Sequence, residues 1–306
     1  MQHQLLLIEA ILRSGISPDF LFYRQYFQVE KHTHPTYNEE RRYSMYEDIH
    51  LTTIQKKELL LEKTKTMNLL SDTFMSVALN DTNACQHVLR ILTGIQDLIV
   101  KEVRTQHKIS KLASHNAILD VLAEDSLGRL YNIEIQRADT LDHARRTRFY
   151  GSMIDSEYLM KGANYSDLPD VYIIYVSETD LWKSGHTSYP VEKYFQSTNM
   201  PYNDGLHIIY INAAVNDGTK IAELMQYFKS SDPNDMSQGD LSKRVHFLKC
   251  DEGGQNIMCK VSEEIYNLGQ KEIVLHMFNS GNSPEQISEL TGIAIEKVTQ
   301  WIQESK

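Results

Sequence analysis

The sequence is poor in cysteine, has no long apolar run and carries no excess of positive charge. Its three cysteines, Cys85, Cys250 and Cys259, are far apart and form no CxxC pair. This argues against a disulfide framework or a zinc knuckle and favours a reducing compartment. The first residues lack a basic segment and a small-residue cleavage site, and no stretch is long enough to span a bilayer. The sequence therefore predicts a soluble cytoplasmic protein that makes no contact with a membrane.

The balance of charge limits the partners that the protein can bind. The formal net charge is −10 at pH 7 over 306 residues, so the surface as a whole would repel a nucleic acid. Any contact with DNA has to come from a local basic patch or through metal ions.

The apolar pattern predicts an α/β sandwich with a mixed sheet between helices. Helices are expected after the N-cap Ser71–Asp72 and between Asp81 or Thr82 and Gly94. The further elements are an antiparallel meander of strands at 97–109, 116–125 and 129–138, a helix at 140–161, strands at 170–177 and 205–213, and a helix at 219–231. The last two strands are nearly continuous apolar runs, which fits burial on both faces of the sheet.

We divide the chain into an N-terminal helical and loop extension at 1–64, a central domain at 65–230, and a linker with a helical region at 231–306. A helix is expected at 2–14. His32 and His34 are assigned to a solvated loop, because no third metal ligand lies near them in the sequence. The segment 231–240 is polar and contains Pro, Gly and Asp, which makes it the expected linker.

Residues 283–303 have the pattern of a helix-turn-helix, with Ser283 as N-cap, Pro284 at the first helical position and a turn at Thr291–Gly292. A version that reads DNA would place its second helix in a major groove. Residues 279–306 contain four Glu and two Lys, a net charge of −2, whereas phosphate contacts need the opposite sign. We therefore favour a helical hairpin for packing or self-association, and a homo-oligomer is left open.

A predicted hairpin carries two carboxylates. Asp120 lies on one strand and Glu134 on the next, and the short turn near Ser126 brings them to opposite or diagonal positions. Two carboxylates at that range repel, so the pKa of one should rise. A divalent cation such as Mg²⁺ would remove this repulsion and steady a phosphoryl transition state. The alternative is a solvated strand face, on which Asp and Glu are common.

Gln136 shares the strand face of Glu134 and can orient a water or a phosphate oxygen, although it cannot carry a proton at neutral pH. The helix that follows is locally basic and places Arg146 and Tyr150 on one face. Such a basic stripe beside a carboxylate pair suits a phosphodiester substrate. For Arg145 and Arg148 we favour a solvated role.

The set Asp120, Glu134-x-Gln136 and Arg146-x-x-x-Tyr150 resembles the PD-(D/E)XK nuclease superfamily. The sequence is most similar to the recombination-promoting nuclease and transposase family of bacteria, in which Gln stands where other branches have Lys. The resemblance covers about residues 65–230 and is carried by LLSDTFMSVALNDTNACQHVLRILTG, LDVLAEDSLGRLYNIEIQRAD, RRTRFYGSMIDSEYLMKGANYSDLPDVYIIYVSETD and DGLHIIYINA. Leu119 stands in place of the Pro in the superfamily's name.

The resemblance implies a restriction-endonuclease-like core (αβββαβ, a mixed central sheet flanked by helices) with helical N- and C-terminal additions. It implies that Mg²⁺, for which Mn²⁺ would substitute, is bound by Asp120, Glu134 and the backbone carbonyl of Ile135. Gln136 would then position the attacking water.

Three further residues receive supporting roles from the same resemblance. Asp72, in the first helix of the family pattern, would complete the site. Arg146 and Tyr150 would brace it or contact phosphate.

The function expected from this resemblance is a Mg²⁺-dependent DNA endonuclease that hydrolyses phosphodiester bonds through metal-activated water, linked to DNA recombination or mobile elements. One alternative is a degenerate nuclease fold that binds nucleic acid or protein without cutting, which the acidic charge and the missing lysine favour. Another is a structural or regulatory protein that assembles through its N-terminal aromatic segment and its tail.

Overall fold

The computed structural model describes residues 61–62, 64–109, 117–137 and 141–305. The helix expected at 2–14, together with His32 and His34, lies outside the described residues. Within the described ranges, no helix is long and apolar enough to cross a membrane.

The strands form one mixed sheet in the described part of the chain. They are β1 (Val100–Ile109), β2 (Ala117–Asp125), β3 (Leu130–Gln136), β4 (Val171–Ser177), β5 (Ser188–Val191) and β6 (Leu206–Asn212). The order across the sheet is β1-β2-β3-β4-β6-β5. β1, β2 and β3 are an antiparallel meander, β3, β4 and β6 run parallel, and β5 pairs antiparallel with β6.

This topology confirms the predicted meander and the two predicted apolar strands. The edge strand β5 is a strand that the sequence did not predict. It has only four residues and contains Pro190, a residue that sheets tolerate at their edges because it cannot donate to the ladder.

The helices are α1 (Asp72–Leu79), α2 (Thr82–Thr93), α3 (His143–Tyr158), α4 (Lys220–Ser230), α5 (Gly239–Cys250), α6 (Glu252–Asn279), α7 (Pro284–Thr291) and α8 (Ile295–Glu304). The predicted caps of α2 are confirmed: the Asp81 side chain accepts hydrogen bonds from two backbone N–H groups, and Gly94 ends the helix with φ of 76°. Ser71 is the N-cap residue of α1, although its side chain makes no capping bond. α3 ends earlier than the predicted 140–161 helix because Leu159 is extended.

The sheet separates two apolar clusters. α1, α2, α4 and α5 contribute to the cluster on one face, which contains Phe74, Leu89 and Phe228, and α3 supplies Met153 and Ile154 to the cluster on the other face. Successive residues of a strand point to opposite faces. In β3, Tyr131, Ile133 and Ile135 therefore enter the first cluster, as predicted, whereas Glu134 and Gln136 face α3.

Buried Asp125 holds the turn between β2 and β3. Its Oδ1 accepts hydrogen bonds from the N–H groups of Leu127 at 2.9 Å and Arg129 at 3.0 Å. Its Oδ2 accepts from Nε of Arg129 at 2.7 Å and from the hydroxyl of Tyr131 at 2.9 Å. Because turn geometry fixes the register of a hairpin, Asp125 also sets which residues of β2 and β3 lie opposite each other.

The C-terminal helices have a small core of their own, in which Val274 of α6 packs with Ile287, Val298 and Trp301. Ser283 caps α7 through the N–H of Gln286, with Pro284 in its first turn. The helix pair predicted at 283–303 is therefore present and packs against the end of α6.

Buried Lys249 of α5 connects distant backbone segments. Its Nζ donates hydrogen bonds to the carbonyl oxygens of Met67 at 2.6 Å, Ser231 at 2.8 Å and Lys65 at 3.3 Å. The start of the expected 231–240 linker is thereby tied to α5 and to the segment before α1. The division of the chain at 64 and 230 stays a prediction.

Candidate active site

Asp120 of β2 and Glu134 of β3 meet across the hairpin. The ladder pairs Val121 with Ile133, and continuing it by one residue sets Asp120 opposite Glu134, as the sequence predicts. Each carboxylate accepts a hydrogen bond from the backbone of the other strand. Glu134 Oε1 accepts from the N–H of Asp120 at 3.2 Å, and Asp120 Oδ2 accepts from the N–H of Ile135 at 3.1 Å.

β1 is distorted where it passes this pair. Gln106, which would stand opposite Asp120, has φ of 52° and is missing from the β1–β2 pairing. A left-handed residue that is not glycine is strained, and such strain concentrates at functional sites. Leu119 and Val121 should share a face of β2, yet they enter opposite apolar clusters. The strand therefore turns about Asp120 and brings this side chain toward both α1 and α3.

Gln106 and Ser76 are site residues that sequence reasoning missed. Gln106 Nε2 donates to Ser76 Oγ at 3.1 Å, and Ser76 Oγ donates to the carbonyl of Asp120 at 3.4 Å. The Gln106 side chain also lowers the pKa of Asp120 as a hydrogen-bond donor. No local signal marks either residue in the sequence, because a polar residue at such a position is ordinary for a solvated strand or helix.

Burial and mutual repulsion hold both carboxyl groups toward the neutral state. Burial, and then the negative charge of Asp72, raise the pKa of Asp120 to about 7 against the opposing effects of the Ile135 N–H, Gln106 and Arg146. Glu134 is 5% exposed, and burial followed by the charge of Asp120 raises its pKa well above the usual range. Two acids that share one buried volume thus cannot both ionise easily without a compensating cation.

The donor set suits a divalent cation. Mg²⁺ typically binds to one or two carboxylates, with waters and substrate phosphates as its other ligands, and Asp120 and Glu134 supply two. The N–H of Ile135 points toward β2, so its carbonyl, which lies on the same side of an extended strand, points there as well. Among the residues that the structure describes, no three His, Cys, Asp or Glu side chains form a metal-binding group. The charge of Asp72 raises the pKa of Asp120, and the part of Asp72 in completing the site stays a prediction.

Gln136 and Arg146 are joined directly. Nη1 of Arg146 donates to Oε1 of Gln136 at 2.6 Å. Arg146 projects from the second turn of α3, and its other nitrogen Nη2 lies 3.9 Å from Asp142 Oδ2. Because the oxygen of the Gln136 amide accepts the bond from Arg146, the two N–H groups of the amide can donate to another partner.

Tyr150 completes this side of the site. It lies one turn beyond Arg146 on α3 and packs against the apolar cluster that faces β3. Its hydroxyl donates a hydrogen bond to the carboxyl group of Glu134, and this bond lowers the pKa of Glu134. Burial, and then the charge of Glu134, raise the pKa of Tyr150 itself, so the hydroxyl stays protonated and remains a donor.

The structure brings together the residues Asp120, Glu134, Gln136, Arg146 and Tyr150, with Asp72 at the edge. Arg145 and Arg148, which the sequence assigned to solvent, are exposed on α3. The roles that the resemblance gave to these residues stay predictions.

Comparison with known proteins gives one match. A family model described as PD-(D/E)XK nuclease family transposase matches residues 85–266. The matched range contains the site from Asp120 to Tyr150 and begins after Asp72. The search of curated proteins and the search of solved structures gave no match.

The range matched by the family model is more than half of the chain, and the six-stranded mixed sheet between helices is consistent with a restriction-endonuclease-like fold. The chain belongs to the PD-(D/E)XK nuclease family transposases.

Proposed function

We propose that the protein is a divalent-metal-dependent endonuclease that hydrolyses phosphodiester bonds in DNA. The observation that carries this proposal is the pair of half-buried Asp120 and buried Glu134, whose carboxyl groups are held toward neutrality in a family of nucleases. Pairs of titratable groups with strongly shifted pKa values are typical of functional sites. A role in recombination or in mobile elements belongs to the same proposal.

The two carboxylates would hold the cation, together with the carbonyl of Ile135. When bound, Mg²⁺ or Mn²⁺ would lower the pKa of a water and stabilise the charge that develops on the phosphate. The backbone bonds to Asp120 and Glu134 keep one oxygen of each group fixed, so the remaining oxygens are oriented before any ligand arrives. Such preorganisation lowers the cost of reaching the reactive geometry.

Gln136 and Arg146 would together replace the lysine of the motif. The amide cannot accept a proton from the attacking water, but with its oxygen held by Arg146 its nitrogen can donate to a phosphate oxygen or to the water. The guanidinium supplies the positive charge that an amide lacks. Gln136 on β3 would orient the water or the phosphate, and Arg146 on α3 would supply the positive charge.

A plasmid nicking assay tests this function. The wild-type protein should nick supercoiled plasmid in Mg²⁺ or Mn²⁺ and lose this activity in EDTA. Asp120→Asn should fall to background, because the amide removes a charged ligand while keeping the shape of the side chain. Asp97→Asn, which changes an exposed carboxylate outside the site, should nick like the wild type. Equal nicking by wild type and Asp120→Asn, or no nicking with either cation, would contradict the proposal.

A second candidate is a nuclease fold that binds nucleic acid or protein without cutting. Gln136 in place of lysine and the net charge of −10 favour it. Titration calorimetry with Mn²⁺ separates the two candidates. Binding that disappears in Asp120→Asn supports the nuclease, whereas the absence of Mn²⁺ binding together with retained DNA affinity supports the binding module.

A further inference from the structure

An aromatic cluster continues the site along the sheet toward β6. It consists of Trp182, Tyr189, Tyr210 and the ring of His143. The centroid of Trp182 lies 4.5 Å from that of Tyr210, 5.5 Å from that of Tyr189 and 4.8 Å from that of His143. Within the cluster, Tyr210 is buried, whereas Trp182 is 41% exposed.

The cluster adjoins the carboxylates through the strand register. Tyr175 of β4 pairs with Glu134 of β3 on one side and with Tyr210 of β6 on the other. The rings of Tyr175 and Tyr210 are 5.7 Å apart. Two strand spacings separate Glu134 from Tyr210, a distance of roughly 10 Å. The ring of Trp182 contacts that of Tyr210, so Trp182 lies within roughly 15 Å of Glu134, a few nucleotide spacings along one strand.

A preformed turn holds Trp182 at the surface. Asp180 Oδ1 accepts hydrogen bonds from the N–H of Lys183 at 3.0 Å and from the hydroxyl of Tyr189 at 2.7 Å, and its Oδ2 accepts from the N–H of Gly185 at 2.8 Å. Lys183 has φ of 54°, a strained conformation that persists only where surrounding bonds enforce it. A tryptophan that served only the core would need neither the exposure nor the strained turn.

A lysine adjoins the exposed ring in the sequence. Lys183 follows Trp182 directly, and its side chain is exposed. The carboxylate of Asp180 accepts three hydrogen bonds within the turn and keeps its negative charge there. Exposed aromatic rings flanked by cations are the usual platform for single-stranded nucleic acid, because every base has a flat π-face.

We propose that Trp182 stacks on an unpaired nucleobase, so that the preferred substrate has a single-stranded or frayed nucleotide within a few positions of the bond to be cut. A base inside a duplex has both faces covered by its neighbours and cannot stack on a side chain without leaving the helix. The proposal rests on the proposed function for the choice of nucleic acid as the ligand. Its test measures binding and does not depend on cleavage.

Binding of a short labelled oligothymidylate and of the same strand in a duplex would be measured by fluorescence anisotropy, with Ca²⁺ replacing Mg²⁺. Base–aromatic stacking contributes enough that Trp182→Ala should weaken single-strand binding about 5- to 150-fold and leave duplex binding unchanged. Trp182→Phe, which keeps an aromatic face, should retain most of the affinity. Tyr165→Ala, at a ring that is 84% exposed outside the cluster, is the matched control and should bind like the wild type.

Tryptophan fluorescence measures the stacking of a base on Trp182 directly. The chain has two tryptophans, and Trp301 belongs to the separate core of the C-terminal helices. In Trp301→Phe the emission comes from Trp182 alone, and it should be quenched as oligothymidylate saturates the protein. An oligouridylate arm identifies whether the base comes from DNA or RNA, and quenching by either supports the stacking role.

Unchanged affinity of Trp182→Ala for the single strand, an equal loss for single strand and duplex, or unquenched emission at saturation would overturn the proposal. These results are distinguishable from failure of the nuclease. Plasmid nicking by wild type and Trp182→Ala without any Trp182-dependent single-strand binding would keep the nuclease and reject the platform. Trp182-dependent binding to the single strand without any plasmid nicking would keep the stacking role of Trp182 and reject the nuclease.

Discussion

Replacing Asp120 with asparagine should stabilise the metal-free protein at neutral and alkaline pH. In the folded state, burial and Asp72 raise the pKa of Asp120 from its usual 3.8 to about 7. A shift of three pKa units corresponds to roughly 4 kcal/mol of unfavourable free energy for the ionised group. Asparagine carries no charge and can still accept from the N–H of Ile135 through its oxygen. We expect a gain of about 2–4 kcal/mol in the free energy of unfolding at pH 8.

The difference in unfolding free energy between Asp120→Asn and the wild type should depend on pH. A carboxyl group whose pKa is raised by folding stabilises the protein fully below its unfolded pKa, near pH 4. That contribution is lost as the pH rises through the folded pKa, near pH 7. Wild type and Asp120→Asn should therefore have similar stabilities at pH 4 and diverge up to pH 8. Asp97→Asn should follow the wild type throughout.

Urea denaturation in EDTA, followed by circular dichroism at pH 4, 6 and 8, measures the difference. A saturating divalent cation should then act in the opposite direction, because it binds to the native wild type and adds about 2.7 kcal/mol at a hundred times its dissociation constant. The reasoning is wrong if Asp120→Asn is no more stable than wild type at pH 8 without metal. It is also wrong if the gain is as large at pH 4 as at pH 8.

Three further substitutions test other parts of the molecule. Arg146→Met should slow single-turnover cleavage by about 10- to 100-fold, as loss of a supporting hydrogen bond does in metal sites, and Arg146→Lys should recover part of the rate; unchanged cleavage by Arg146→Met would exclude a role for its bond to Gln136. Asp125→Ala should lower the free energy of unfolding by about 3 kcal/mol, because it leaves buried partners of a carboxylate without an acceptor, and a urea titration showing no loss would contradict this. Lys249→Met should lower it by about 2–4 kcal/mol, since buried carbonyls lose their donor, whereas Lys243→Met, at an exposed position of the same helix, should change it little in the same titration.

The sequence predicts the hairpin and its carboxylates because both follow from local rules. A short turn fixes which residues of β2 and β3 lie opposite each other, so Asp120 and Glu134 could be paired without knowing the rest of the fold. The helix spacing that unites Arg146 with Tyr150 is equally local. The bond from Arg146 to Gln136 depends on how α3 docks on the sheet, which the sequence pattern does not specify.

Other features depend on long-range context and left no readable pattern. The left-handed conformation of Gln106 lies opposite the turn of β2 at Asp120, and glutamine has no intrinsic preference for it. Trp182 lies in an irregular loop after β4, where neither helical nor strand periodicity applies. Its proximity to the carboxylates arises only because β4 is the parallel neighbour of β3 and β6 is the next strand beyond β4.

The bond between Arg146 and Gln136 brings a positive charge to the strand position that carries lysine in other branches of the superfamily. Under the proposed function, the charge that the motif needs would come from α3 and not from the strand. A search for active relatives that relied on the strand letters alone would then pass over chains that carry this charge on the helix.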